Sequence, residues 1–265
     1  MDNSAAADTG LSYDWRAFDR LAAVEDRHFW FVCRARVIAA AVRTVVDRLP
    51  DGYRVLEVGC GNGTLLRTLS QTCERGTVTG MDLFSGGLAW ARQRSSCALV
   101  RGDVFRLPFC GRVNVIGMFD VLEHLEDDTA ALGSLRCALV PGGTIVVTVP
   151  AHPALWSYFD EYAHHRRRYT MKSLQTAFAG AGYRVHYMSE YMASILPLVW
   201  LGRGISAMLP RRGPRSPEQL AAGDLRVVPV LNEVIRWTLS WEAGRVGRQR
   251  GLPFGASIIA VAEAI

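Results

Sequence analysis

Glu57, Gly59, Gly61 and Gly63 fall in the stretch Val55-Leu56-Glu57-Val58-Gly59-Cys60-Gly61-Asn62-Gly63, where an apolar run ends in an acid and then in glycines at alternate positions. Glycine has no Cβ, so such a loop lets the backbone turn sharply off a strand and approach a ligand closely. The helix that follows offers unpaired N–H groups to the same ligand. The pattern departs from the dinucleotide fingerprint G-x-G-x-x-G/A, because Thr64 occupies the completing position and Gly63 falls one residue too early. An acid such as Glu57 at the strand end repels a pyrophosphate and suits a cation. Two further apolar runs also end in acids. Val78-Thr79-Gly80-Met81 leads to Asp82, 19 residues after Gly63 and about where a ribose-binding acid is expected, and Cys97-Ala98-Leu99-Val100 leads to Asp103-Val104.

These features together favour a methyl donor, S-adenosylmethionine, whose ammonium and sulfonium are cationic. Asp82 can accept both ribose hydroxyls, and Asp103 can accept an adenine amino group while Val104 packs the ring. With Asp120-Val121-Leu122-Glu123-His124 added, four motifs occur in order, and the chain resembles a class I S-adenosylmethionine-dependent methyltransferase over roughly residues 50–190 plus the final strand. The likeness is closest to the branch that methylates small molecules, quinones and lipids. The resemblance implies a donor site of Glu57, Gly59, Cys60, Gly61, Gly63, Asp82, Leu83, Asp103, Val104, Phe119 and Asp120. Asn114 departs from the pattern, since many relatives carry an acid within that strand. The departure puts little in doubt, because Asp120 to His124 follow intact.

The elements that must position these residues alternate. A helix over Val37–Leu49 ends at Pro50-Asp51-Gly52 and leads into the first strand. Thr64–Ser70, Gly86–Arg94 and Asp127–Leu139 read as helices, and Thr77–Met81, Ala98–Arg101, Val113–Met118 and Thr144–Val149 as strands, the last entered through a Pro141-Gly142-Gly143 turn. Thr170–Ala181, Tyr183–Met188 and Gly255–Ala264 add a helix and two strands. The expected fold is a Rossmann-like, doubly wound, mostly parallel seven-stranded α/β sheet with helices on both faces. Residues 1–50 form an N-terminal helical cap, 51–190 the donor-binding core, 191–250 an apolar and helical insertion, and 251–265 the final strand of the core.

His124 follows the fourth strand by a few residues, where an acceptor should approach the methyl group, and is the first choice for a base or orienting group. An acceptor amine that binds neutral needs no base, in which case His124 lines the pocket or caps the next helix. Candidate acceptor contacts are His28, Trp30 and Phe31 upstream of the glycine loop, and His152, Trp156, His165 and Arg168 in the loop after the fifth strand. The aromatics can equally be a helix packed on the sheet. Arg166 to Arg168 can equally pair with Asp160 and Glu161, and related sequences often carry a similar His-Arg-Arg-Tyr-Thr run whatever their acceptor. No metal is expected. For the insertion, a lid over an apolar acceptor is favoured over a membrane-surface patch through 191–209, and a homodimer contact also stays open. Pro197, Gly202, Arg203 and Gly204 interrupt the run too often for a bilayer span.

A chain of 265 residues, 49% of them apolar, suffices for one large α/β domain with appendages. Its six cysteines show no C-x-x-C spacing and no secreted framework, and the polar, acidic start does not read as a signal peptide, so a reduced, cytoplasmic protein, peripheral at a membrane if the insertion binds one, is expected. The net charge of +5 is carried by the second half, and all but one of the basic residues are arginine. No nucleic-acid partner is expected: neither an Asn-Pro-Pro-Tyr element nor a Pro-Cys nucleophile is present. The reading is a methyltransferase acting on a small, apolar or lipid-like acceptor. An NAD-dependent oxidoreductase, or a degenerate methyltransferase fold acting as a binding protein, is the alternative.

Overall fold

The computed structural model describes residues 25, 27–107, 110–195 and 239–265. In chain order these form α1 (Phe29–Val46), β1 (Arg54–Val58), α2 (Thr64–Thr72), β2 (Thr77–Asp82), α3 (Ser85–Arg94), β3 (Ala98–Arg101), β4 (Val113–Phe119), α4 (Asp128–Ala138), β5 (Leu139–Pro150), α5 (Tyr158–Tyr162), α6 (Met171–Gly180), β6 (Tyr183–Tyr191) and β7 (Ser257–Ala264). A further helix covers 239–247. The strands make one sheet in the order β3-β2-β1-β4-β5-β7-β6. Pairings among β1 to β5 are parallel, and β7 runs antiparallel to both β5 and β6. The expected α/β architecture is therefore the observed one.

Period-two alternation along strands buried on both sides divides the core. Val55, Val115 and Val146 face one cluster with Cys33, Ile38 and Val42 of α1 and Leu66 and Leu69 of α2, while Leu56, Ile116 and Ile145 face another with Leu132 and Leu135 of α4 and Phe178 of α6. Truncating one such residue, as in Ile38→Ala, costs about 2–5 kcal/mol in a packed core. Helices thus cover both faces and leave the carboxyl ends of the strands as the open edge. The order reverses between β1 and β4, and ligands of open α/β sheets bind at that crevice.

Three boundaries differ from the sequence expectation. α1 starts at Phe29 rather than Val37, because His28 caps it through Nδ1, which accepts from the Trp30 N–H at 3.3 Å. β5 starts at Leu139, and the Pro141-Gly142-Gly143 turn lies inside it: pairing with β4 jumps from Val113↔Leu139 to Val115↔Thr144, so the extra residues are absorbed as a bulge with Gly142 at φ +72°. β6 continues through a fully buried Tyr191, one residue into the expected insertion. Most of that insertion, including Pro197, Leu231, Val234 and Ile235, lies outside the described residues. Its two flanks meet, however. Buried Glu242 in the 239–247 helix accepts from the Ala193 and Ser194 amides and from Ser194 Oγ at 3.2, 3.0 and 2.7 Å. Among the described residues no helix is long and apolar enough to cross a membrane.

Candidate active site

The glycine loop leaves β1 at the crevice and is built around positions that reject a side chain. Gly59 has φ +73°, and a Cβ there would lie 2.3 Å from Val121 Cγ2; Gly63 has φ +81°, and a Cβ would lie 2.7 Å from the Ala91 backbone on α3. The amides of Gly59 and Cys60 both donate to the Met81 carbonyl, which ties the loop to the end of β2. Asp82 completes the tie: Oδ2 accepts from Gly61 N at 2.7 Å and Oδ1 from Phe84 N at 2.9 Å. Each oxygen keeps a second lone pair for a ligand hydroxyl. Burial pushes the Asp82 pKa up, and the amides of Phe84, Gly61 and Leu83 pull against it. Burial likewise drives the Cys60 thiol far above its ordinary range, so Cys60 is a packing residue of the loop. One strand further out, Asp103 Oδ1 accepts from Phe105 N at 2.9 Å, which fixes the turn that buries Val104 and leaves Phe105 half exposed.

Between β1 and β4 the site is electrostatically lopsided. Glu57 is buried and its Oε2 has no hydrogen-bond partner among the described residues. Burial raises its pKa to about 8, opposed by Arg34 and reinforced by Asp82. Asp120, at φ +54°, accepts from Thr148 Oγ1 at 3.0 Å and faces Arg34 Nε at 2.5 Å. Arg34 also donates from Nη2 to the Phe119 carbonyl at 2.8 Å. Burial, the largest single effect, lowers the Arg34 pKa, but Asp120, Tyr191, Glu123 and Glu57 together outweigh it and the net shift is upward. Asp120, Glu123 and Glu57 thus all act on the buried Arg34 guanidinium. Sequence reasoning assigned Arg34 no role, since nothing local shows that α1 carries it under the end of β4.

The other missed residue is Glu25. Its Oε2 accepts from Asn62 Nδ2 and Thr64 Oγ1, both at 2.6 Å, and pairs with Arg94 Nη1 at 3.1 Å. A carboxylate therefore sits at the N-terminus of α2, where a pyrophosphate would have to bind. The partners lie 37 to 69 residues away, so no spacing signal exists.

On the acceptor side, a 3₁₀ turn over Leu122–His124 follows Asp120. The His124 ring meets His165 edge to face with centroids 4.9 Å apart, and burial followed by His165 lowers the His124 pKa to about 4, so it is neutral at physiological pH. The loop after β5 is pinned beside it by the Arg166 amide, which donates to the Glu123 carbonyl at 2.9 Å. Asp160 organises this loop. Oδ1 bonds His165 Nδ1 at 2.9 Å and accepts from Arg168 Nε at 2.7 Å, and Oδ2 accepts from the Ser157 amide at 2.8 Å. Burial works to raise the Asp160 pKa, but the bonds from His165 and Arg168 prevail and hold it down to about 2.

The candidate acceptor residues do not all converge. Arg168 is committed to Asp160 and the Ala151 carbonyl, and Arg167 to Asp128 and the carbonyls of Leu125 and Glu126. His152 pairs with Glu190 through Nε2 at 2.9 Å, and Trp156 is 40% exposed. His28 is buried as the α1 cap against Phe29 and Phe31, and Trp30 packs on the core. His124 and His165 are the pair that meet beside the crevice.

A methyltransferase-domain family model matches residues 30–187. A 2-phytyl-1,4-naphtoquinone methyltransferase of Thermosynechococcus vestitus is 34% identical over 111 residues, 40% of this chain and 49% of that protein. A fatty-acid O-methyltransferase of Mycolicibacterium smegmatis is 45% identical over 107 residues, 37% of each chain. The chain thus spans half or less of the length of these curated relatives. Phosphoethanolamine N-methyltransferase 2 of Haemonchus contortus, solved with S-adenosyl-L-methionine, shares the fold with a TM-score of 0.53 at 15% identity, over 86% of this chain and 52% of that one.

Proposed function

The chain belongs to the methyltransferase-domain family, and from that premise we propose that it transfers the methyl group of S-adenosyl-L-methionine to a small, apolar or lipid-like acceptor. The observation that carries this reading is the buried Glu57 carboxyl group, whose Oε2 has no hydrogen-bond partner among the described residues, beside a glycine loop that rejects a Cβ at Gly59 and Gly63. A buried carboxylate without a donor is costly, and a ligand ammonium removes that cost. The donor supplies, when bound, an electrophilic methyl carbon on a sulfonium. Glu57 holds its ammonium, Asp82 its ribose hydroxyls, and Asp103 and Val104 its adenine. Phe119 and Asp120 close the wall at β4.

In-line displacement at carbon requires the acceptor atom and the methyl to be held about 3–3.5 Å apart. His124, neutral and at the acceptor edge, is proposed to orient the acceptor or, with no metal bound, to take a proton from a hydroxyl. Residues 191–250 are proposed as the lid, since Glu242 makes the segment leave and return at one place. The Glu25 carboxylate on α2, together with Thr64 and Glu57, argues against a dinucleotide. The quinone and fatty-acid relatives support an apolar acceptor. The test is incubation of the full chain with S-adenosyl-L-methionine and lipid, phenolic and amine pools, read by mass spectrometry. Methylated lipids or phenols support the reading, and methylation confined to polar amines overturns its acceptor class.

A further inference from the structure

We propose that Glu123, His124 and His165 form a binding site for one divalent transition-metal ion at the acceptor edge of the crevice. Each residue offers one ligand atom, and these atoms lie within 4.8 Å of one another. The Glu123 side chain is 0% exposed, and neither Oε1 nor Oε2 has a hydrogen-bond partner among the described residues. His165 Nε2 lies 3.9 Å from Oε1, beyond hydrogen-bond reach. A carboxylate sealed from water with both oxygens unpaired among the described residues is expensive in the folded protein, and a cation held between it and the two imidazoles removes that cost.

The surroundings have the form that metal-binding histidines require. A ligating imidazole usually gives its second nitrogen to a carboxylate, which fixes tautomer and ring orientation. His165 does this: Nδ1 bonds Asp160 Oδ1 at 2.9 Å, and Nε2 is the nitrogen turned toward Glu123. Asp160 is itself immobilised by Arg168 Nε at 2.7 Å, by the Ser157 amide at 2.8 Å and by Ser157 Oγ at 3.1 Å. The bond from the Arg166 amide to the Glu123 carbonyl locks the two backbone segments together next to the three ligands.

Two imidazoles and one carboxylate select Mn²⁺, Fe²⁺, Co²⁺, Ni²⁺ or Zn²⁺ over Mg²⁺ and Ca²⁺, which prefer oxygen throughout. Metal–ligand bonds of about 2.1 Å put neighbouring ligand atoms about 3–3.4 Å apart, so the three side chains draw in by about an ångström on binding. Three protein ligands leave coordination positions open, and an acceptor that bears an oxygen would fill one. That last statement rests on the proposed methyltransferase reading, while the metal site itself does not.

The experiment uses the full chain, stripped with a chelator and titrated with Co²⁺ followed by visible absorption, then displaced with Zn²⁺ and challenged with Mg²⁺. One equivalent of Co²⁺ should bind with d–d bands, Zn²⁺ should displace it, and equimolar Mg²⁺ should not. Glu123→Gln keeps the side-chain shape and His165→Ala removes one ligand; each should weaken Co²⁺ binding by more than a hundredfold. Asp160→Asn, which loosens only the positioning bond, should weaken it by about tenfold to a hundredfold. Circular dichroism on each variant reports folding. Absence of stoichiometric Co²⁺ binding by the native chain, or affinity unchanged in a folded Glu123→Gln variant, overturns the site in favour of a metal-free His165 bridge between Asp160 and Glu123. Equal competition by Mg²⁺ overturns the transition-metal assignment. S-adenosyl-L-methionine binding by the metal-free protein is measured in parallel. Its failure alongside normal Co²⁺ binding would overturn the methyltransferase reading and leave the metal site standing.

Discussion

The two halves of the crevice are built by different rules. On the donor half, Asp82 and Asp103 come from strand ends, and their bonds go to backbone amides a few residues or one strand away: Asp82 to Gly61 and Phe84, Asp103 to Phe105. On the acceptor half, side chains of one loop bond one another, Asp160 to His165 and Arg168, and that loop packs against the turn after β4. Glu123 and His124 follow β4, while His165, Asp160 and Arg168 come from the loop after β5. Backbone-anchored acids at strand ends depend on the fold alone, so a donor site can stay constant over a changing substrate. A loop held by a side-chain network can be rebuilt without disturbing the sheet, and acceptor choice belongs there.

The comparison can be broken by substitutions that should affect one half and spare the other. The largest effect is expected at His124. If the acceptor is a hydroxyl, His124→Ala should lower turnover by roughly 10²- to 10⁴-fold and leave donor affinity within a few-fold, as read from initial rates and calorimetry. Equal loss of donor binding would place His124 in the donor half. Gly59→Ala comes next. The new Cβ meets Val121 at 2.3 Å, in a left-handed backbone conformation that itself disfavours a side chain by about 1–2 kcal/mol. Donor affinity should fall about a hundredfold and the melting temperature should drop; native donor affinity would show that the loop opens freely.

Asp82→Ala removes two backbone bonds and the ribose acceptor together. Charge-assisted bonds are worth about 1.5–3 kcal/mol each, so donor affinity should fall at least tenfold. An unchanged dissociation constant would show that Asp82 serves the loop alone.

The smallest effect is a pH dependence at Glu57. Its pKa in the ligand-free fold, about 8, lies above its ordinary value of 4.5, so the stability it contributes is present below about pH 4.5 and is lost as pH rises through about 8. Thermal melts of the ligand-free protein should fall across that window, and Glu57→Gln should flatten the fall. Because a bound ammonium favours the carboxylate, donor binding below pH 8 expels a proton. Affinity should therefore rise by up to about tenfold per pH unit toward pH 8 and then level.

Legibility in the sequence followed the same division. The strand-end acids, the glycine loop and the alternation of strands and helices are local patterns, and β1 to β4 lie close to where periodicity puts them. Arg34 and Glu25 have no local signature, because their meaning depends on α1 crossing under β4 and on a segment folding onto Asn62 and Thr64. The early start of β5 was hidden by Pro141-Gly142-Gly143, a turn signal that tertiary pairing converts into a bulge. Arg168 shows the limit of residue type as a guide. The arginine run left an acceptor contact and a pairing with Asp160 or Glu161 both open, and in the fold Arg168 pairs with Asp160, which also bonds His165.

The central claim is that buried Glu57, whose Oε2 is unpaired among the described residues, defines a pocket for a cationic methyl donor. Isothermal titration of the full chain with S-adenosyl-L-methionine and with NAD, at pH 7 in two buffers of different ionisation enthalpy, tests it most directly. S-adenosyl-L-methionine should bind with release of up to one proton, Glu57→Gln should bind it more weakly with no release, and NAD should be silent. Tight NAD binding with no response to S-adenosyl-L-methionine, or donor binding indifferent to Glu57, would contradict the account.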